Sequence, residues 1–370
     1  MKPFLNFFFG LFLFVLFESC STFGGPDVSH IKYPEVIRVK IASTGTGFTL
    51  YSEDGLSLKI NGKDSEFSGK EFIYKTSSYS SGTSVFVKSY GSSIHLNSTP
   101  YRGNFEIIQK SMGAIAINHV PLEEYLKSVV PSEMPASWHS EALKAQAISA
   151  RTYAIFNIFN KRTPEYDLDS GTNSQVYKGI KSEDARSSRA VTETEKIIMV
   201  YDSKPIQAFF HSHSGGVTED PEYVWGTKTG YLESVDSEFC DQAFPYTWDY
   251  SFTGAIITNK LSMLGLGEIS EMVVDKTFPS GRVSKIKVTG SNGEASIDGS
   301  DFRSLFGGSK IKSLLFEIEQ KEGIFLVKGK GFGHGVGLSQ YGANGMAKAD
   351  YSYDDILKHY YRDIDIVEIE

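Results

Sequence analysis

Cysteine is almost absent from this sequence, whose 370 residues include only Cys20 and Cys240. A disulfide framework is therefore excluded, and a large buried core has to supply the stability. Positive charge is also in deficit, with 37 Lys and Arg against 45 Asp and Glu and a formal net charge of -8. No basic stripe interrupts that balance, which argues against a nucleic-acid partner, because a phosphate backbone is held by clustered cations. Long apolar runs are missing too. The run from Phe7 to Phe17 is too short to span a bilayer at about 1.5 Å per residue. Several catalytic fingerprints are absent as well: the P-loop GxxxxGK[ST], the nucleophile elbow GxSxG and the zinc motif HExxH.

What is present begins with 20 Tyr and 26 Phe and an ordinary 22% of charged residues, a composition that folds. One lysine, the Phe7 to Phe17 run and then small residues suit an export signal over residues 1–20. Cys20, between Ser19 and Ser21, stands where a lipoprotein signal places its lipidated cysteine, and would anchor the exported chain to a membrane. Glu18 is unusual in that context, so ordinary cleavage or an uncut anchor is the alternative. Residues 21–35 read as a linker.

From Val36 to Gln109, short runs such as "VIRVKIA", "SVFVKS" and "FEIIQ" alternate with period two between turn formers, which predicts a β-rich region over 36–110. The remainder, 111–370, mixes strands and helices without a βαβ rhythm, so the fold class expected is α+β. A short helix is expected after Pro121, with an interruption at "PSEMP". An Ala-rich helix is expected from Ser137 to about Asn160. Residues 195–210 suggest a hairpin, Asn292-Gly293 another, and Ser352 with Asp355 a capping box.

Three stretches carry candidate chemistry. In "GKGFGHGVGLSQYG" the glycine spacing fails the dinucleotide fingerprint. If extended, it would place Lys330, Phe332, His334, Val336 and Leu338 on one face and leave the other bare, for a ligand or for a tightly packed backbone. Glu133, between Pro131 and Pro135 and beside Met134, has either the apolar surroundings of a proton donor or the position of a cap for the next helix. "HSHSGG" offers His211 and His213, with Cys240 elsewhere, an incomplete metal-ligand set, so no metal is assigned and a stiff polar loop is the alternative. Cys240 alone reads as a buried small hydrophobe. Arg151 has two readings, a structural ion pair or a group reaching Glu133 or substrate.

"VPLEEYLKSVVPSEMPASWHSEALKAQAISARTYA", "FFHSHSGGVTEDPEYVWG" and "GKGFGHGVGLSQYGANGMAKADYSYDDILKHYY", in this order, resemble the stage II sporulation protein D family, the SpoIID/LytB domain, over nearly the whole chain after Val36. The resemblance implies a peptidoglycan-directed protein. Its sporulation members are lytic transglycosylases that cut peptide-stripped glycan strands between N-acetylmuramic acid and N-acetylglucosamine, and its LytB-type members enhance a cell-wall amidase. It also implies that the essential acid is the glutamate of "EMP", here Glu133; some members bind zinc near the groove through His and Cys, but that pattern is not evident here and no cofactor is expected. Substrate contacts are then expected from Arg151, Tyr177, Ser214, His334, Ser339, Gln340 and Tyr341. Two departures from the family pattern are His139 at a helix start and His213 in "HSHSGG". A sporulation role does not follow, because the domain is shared more widely than that process.

Overall fold

The computed structural model describes residues 26–160, 163–243 and 246–370; the expected export signal and Cys20 lie outside them. The alternating runs are strands. Val36–Thr44, Gly47–Ile60, Lys63–Asp64, Gly69–Lys75, Ser84–Ser89, Ser93–Leu96, Thr99–Arg102, Asn104–Lys110, Gly113–Pro121 and Leu168–Asp169 form one ten-stranded sheet, antiparallel except where the last pairs with the first. Along Asn104–Lys110 every second residue is buried, as a half-covered strand requires. Gly113–Pro121 lies between Val36–Thr44 and Asn104–Lys110, so the sheet continues across residues 110 and 111.

Helix α1, Leu122–Glu133, carries Glu123 and Glu124 in its first turn, where the positive end of the helix dipole favours them. The expected interruption at "PSEMP" occurs, but at Met134 rather than at Pro131. In the last turn a proline forfeits only one backbone donor, and the helix runs on to Glu133 before Met134 turns extended, its N–H closing on the Val130 carbonyl at 2.9 Å. The next helix, α2, is Ser140–Phe159 and starts later than expected. The Trp138 N–H first closes a turn on Pro135 at 2.9 Å, and the His139 ring caps the Glu141 N–H. Small residues, including Ala142, Ala145, Ala147, Ala150 and Ala154, let other elements close on α2, so most of it is buried.

Around α2 pack α3 (Ala185–Glu193) and the hairpin Ile197–Tyr201 with Lys204–Pro205, as expected over 195–210. The short helices α4 (Pro221–Trp225) and α5 (Glu238–Ala243) follow. The chain then builds a second core between paired strands Thr247–Thr253 and Ile324–Lys330, with Phe252, Ile286, Phe302, Phe325 and Val327 inside. This unit includes α6 (Gly254–Lys260), α7 (Gly299–Phe306) and the hairpin near Asn292, whose turn centres on Ser291 and Asn292 between paired Gly290 and Gly293. Helices α8 (Gln340–Lys348) and α9 (Tyr353–Tyr360) return to the main core, α9 beginning at the Ser352–Asp355 capping box. The fold is α+β, with a large β-sheet in the first half.

Candidate active site

The glycine-rich stretch is not an extended strand, which corrects the one-bare-face expectation. Regular pairing ends at Lys330, and Gly331, Gly333, Gly335 and Gly337 take φ of 79, 115, 89 and 70°. A positive φ at every second residue destroys the pleat, so the chain coils through the wall of a cleft. The space is as restrictive as the backbone. A Cβ at Gly335 would lie 2.5 Å from the Arg282 guanidinium, and one at Gly337 would overlap the Phe209 carbonyl. Phe332 exchanges both backbone hydrogen bonds with His213, and Leu338 rejoins a short parallel pair with Phe210.

Opposite this wall stands Glu133, at the end of α1 and partly buried. Its Oε1 accepts the Val176 N–H at 2.7 Å. Burial raises the carboxyl pKa, while that hydrogen bond and the nearby Lys178 ammonium offset part of the rise, and the net direction is up. Glu133 and His334, 201 positions apart in sequence, line one cleft of ≈460 Å³. With them are Tyr153, the Thr172–Asn173–Ser174 loop, Phe209, His211, Trp225 and Gln340. Glu133 is the sole carboxylate among these described lining residues, and no lysine or arginine is among them.

The two cleft histidines differ. Nδ1 of His334 accepts the Val336 N–H at 3.0 Å, and its ring also hydrogen-bonds to the Phe210 backbone. Burial drives its pKa down to about 4, so it is a neutral ring fixed by backbone and packed at 5.2 Å from Trp225. His211 faces the Val336 carbonyl through Nδ1 at 3.1 Å. Because a carbonyl only accepts, Nδ1 carries the proton and Nε2 is a buried lone pair without a partner. Burial also holds its pKa well below the ordinary value.

The other expected site residues separate. Gln340 lines the cleft, its amide donating to Gln146 Oε1 at 3.3 Å. Ser214 and Ser339 are fully buried behind the wall, where the Ser214 N–H donates to Ser339 Oγ at 3.2 Å and Cys240 Sγ lies 3.1 Å from the same oxygen. Burial alone would push the Cys240 thiol up, but hydrogen bonds with His213, Ser214 and Ser339 bring it below the ordinary value. Tyr341 packs edge-on to Trp138, ring centres 4.7 Å apart, outside the cleft lining. Tyr177 belongs to the core, its hydroxyl donating to Asn118 at 2.8 Å, where packing beside Tyr125 leaves it 4% exposed.

Arg151 takes the structural ion pair: its fork grips Glu123 with two 2.7 Å bonds and donates to the carbonyls of Val191 and Ile197, and it does not line the cleft. Among the described residues no group of three or more His, Cys, Asp or Glu is placed to hold a metal ion. His213 sits with Cys240, whereas His211 sits with His334 at 5.5 Å. Sequence reasoning passed over Trp225, although it lies in the quoted "EYVWG" between the Asp220 cap and left-handed Gly226. For His211 the sequence offers a metal ligand or a stiff polar loop, and its place in the cleft comes from the structure.

A family model described as Stage II sporulation protein matches residues 110–201, the segment that holds Glu133 and Val176. An uncharacterised protein of Brachyspira hyodysenteriae is 35% identical over 277 residues, 74% of each chain. Stage II sporulation protein D of Bacillus subtilis is 34% identical over 270 residues, 69% of this chain and 77% of its own. The chain belongs to the SpoIID family. A further SpoIID relative, the amidase enhancer of Bacillus subtilis, is 30% identical over 84% of this chain and 50% of its own. A domain of unknown function, DUF8618, matches residues 234–337 and so spans the second core and most of the glycine-rich wall. This is thus a SpoIID-family cell-wall protein whose candidate site joins a carboxyl from the family match to a wall built outside it.

Proposed function

We infer that the protein is a peptidoglycan lytic transglycosylase with Glu133 as its one acid and base. The observation that carries this reading is the lone, pKa-raised carboxyl in the cleft. Ordinary glycosidases place two carboxyl groups about the scissile bond, because a water or an enzyme nucleophile has to be managed besides the leaving group. A reaction in which the sugar supplies its own nucleophile needs one. Protonated Glu133 gives its proton to the glycosidic oxygen as the bond to the muramic C1 breaks, releasing the 4-hydroxyl of N-acetylglucosamine. The muramic C6 hydroxyl then bonds to C1 and its proton returns to the Glu133 carboxylate. No water is consumed, no cofactor is required, and a 1,6-anhydro end results.

The Val176 N–H holds Glu133 in place through both steps, and Gln340 and His334 are the expected site residues that line the cleft with it. Export and a lipid anchor at Cys20 would put this activity at the cell surface or in the periplasm, on glycan strands stripped of their peptides. The relative named amidase enhancer supports a second reading, a strand-binding partner of a cell-wall amidase without chemistry of its own. Incubation of the purified protein with denuded and peptide-bearing strands, with ends analysed by mass spectrometry, separates the two. The transglycosylase predicts 1,6-anhydro ends from the wild type and a loss of at least about a hundredfold in rate for Glu133→Gln. Strand binding without anhydro ends would leave the enhancer reading, and unchanged turnover by the variant would remove Glu133 from the mechanism.

A further inference from the structure

We propose that Trp225 is the sugar-stacking platform of the cleft, taking the apolar face of a pyranose ring on its open indole surface. The inference rests on the glycan reading above and names the contact that would hold the ligand. Trp225 ends α4, with the Asp220 carboxylate capping the Glu222 N–H at its start and Gly226 closing it in the left-handed conformation. The helix is thereby fixed at both ends. Phe209 lies against the indole at 4.3 Å and 31°, and His334 supports it at 5.2 Å, yet 44% of the residue remains exposed.

A tryptophan left open on a convex surface calls for no explanation, but this one lines a concave cleft with Glu133. Its supports are themselves fixed. His334 is held by Val336 and Phe210, and the Phe209 carbonyl accepts the Tyr361 hydroxyl at 2.8 Å. The platform is therefore rigid before any ligand arrives, which lowers the ordering cost of binding.

The lining selects the ligand's chemistry. A flat aromatic surface accompanied by Thr172, Asn173, Ser174 and Ser212 matches a ring with an apolar C–H face and a rim of hydroxyl and acetamido groups. The absence of lysine and arginine from the described lining disfavours a phosphate-bearing ligand, for which an aromatic surface alone would not compensate the charge.

The test uses Glu133→Gln protein, to prevent turnover, titrated with the tetramer of N-acetylglucosamine and followed by indole fluorescence and calorimetry. Binding with a change in indole emission is expected. Adding Trp225→Ala should weaken it by about ten- to a hundredfold, the range for loss of one aromatic stacking contact, whereas Trp225→Phe should lose less. Circular dichroism of each variant establishes that it is folded, and Trp225→Phe serves as the readout if the alanine variant is not. No binding by the Glu133→Gln protein, or equal affinity with and without the indole, overturns the platform. Failure of the reaction reads differently. A wild type that binds the tetramer through Trp225 but makes no anhydro ends would refute the transglycosylase and leave the platform standing.

Discussion

At the scale of single residues, the candidate site works by withholding solvent and partners. Glu133 has one hydrogen bond from Val176 and no ion pair, so burial dominates and its pKa rises. A carboxyl whose folded-state pKa is raised contributes its stability in full below its unfolded value and loses it as pH rises through the folded value. Ionised Glu133 thus opposes folding at neutral pH. Glu133→Gln, which keeps an acceptor for Val176, should melt with the wild type at pH 4 and above it at pH 7 in thermal denaturation. The same shift sets the activity profile: the alkaline limb of kcat/KM, where the acid loses its proton, should lie above the ordinary glutamate value of 4.5. Glu133 was singled out as the candidate acid by the resemblance at "EMP", since its prolines alone left a helix cap open. The contrast between His334 and His211 was not legible in the sequence, because it depends on whether the Val336 N–H or the Val336 carbonyl meets the ring.

At the scale of elements, local rules read well where neighbours in sequence decide the outcome. Period two gave the strands, and Ser352 with Asp355 gave the start of α9. They failed where a distant segment intervenes. The glycine-rich run coils where Phe209, His211 and Arg282 pack against it, leaving no room for a Cβ at Gly333, Gly335 or Gly337. Gly337→Ala should therefore cost about 2 kcal/mol or more, combining a left-handed φ with overlap on the Phe209 carbonyl. Gly45→Ala, with ordinary φ and nothing within 4 Å, should stay within about 0.5 kcal/mol of the wild type. Urea midpoints of the two variants check the contrast.

At the scale of the whole molecule, the second core is joined to the site through named contacts. Arg282, 1% exposed, donates from Nη2 to the Ser214 carbonyl at 2.7 Å and the Val217 carbonyl at 3.0 Å, and Trp248 Nε1 donates to Gly331 at 3.0 Å. Arg282→Ala should raise hydrogen exchange in residues 213–218 and 331–337, while the strands of the second core keep their protection because Phe252, Phe302 and Phe325 pack independently of it. Equal protection across the joint would show that the two cores hold together without the arginine. Nothing in the composition between Thr247 and Lys330 marked this unit as separate, since its strands and turns resemble those around it. The sequence by itself determined the α+β class, the β-rich first half and the buried helix after Glu133, because periodicity and capping act over a few residues, while the candidate acid came from the family resemblance. The resemblance also placed His334 across a cleft from Glu133, as found, but only the tertiary structure decided that Arg151 binds Glu123, that Tyr177 lies in the core, and that Trp225 lines the same cleft. Those outcomes depend on which segments, tens to hundreds of positions apart, bury one another's surface.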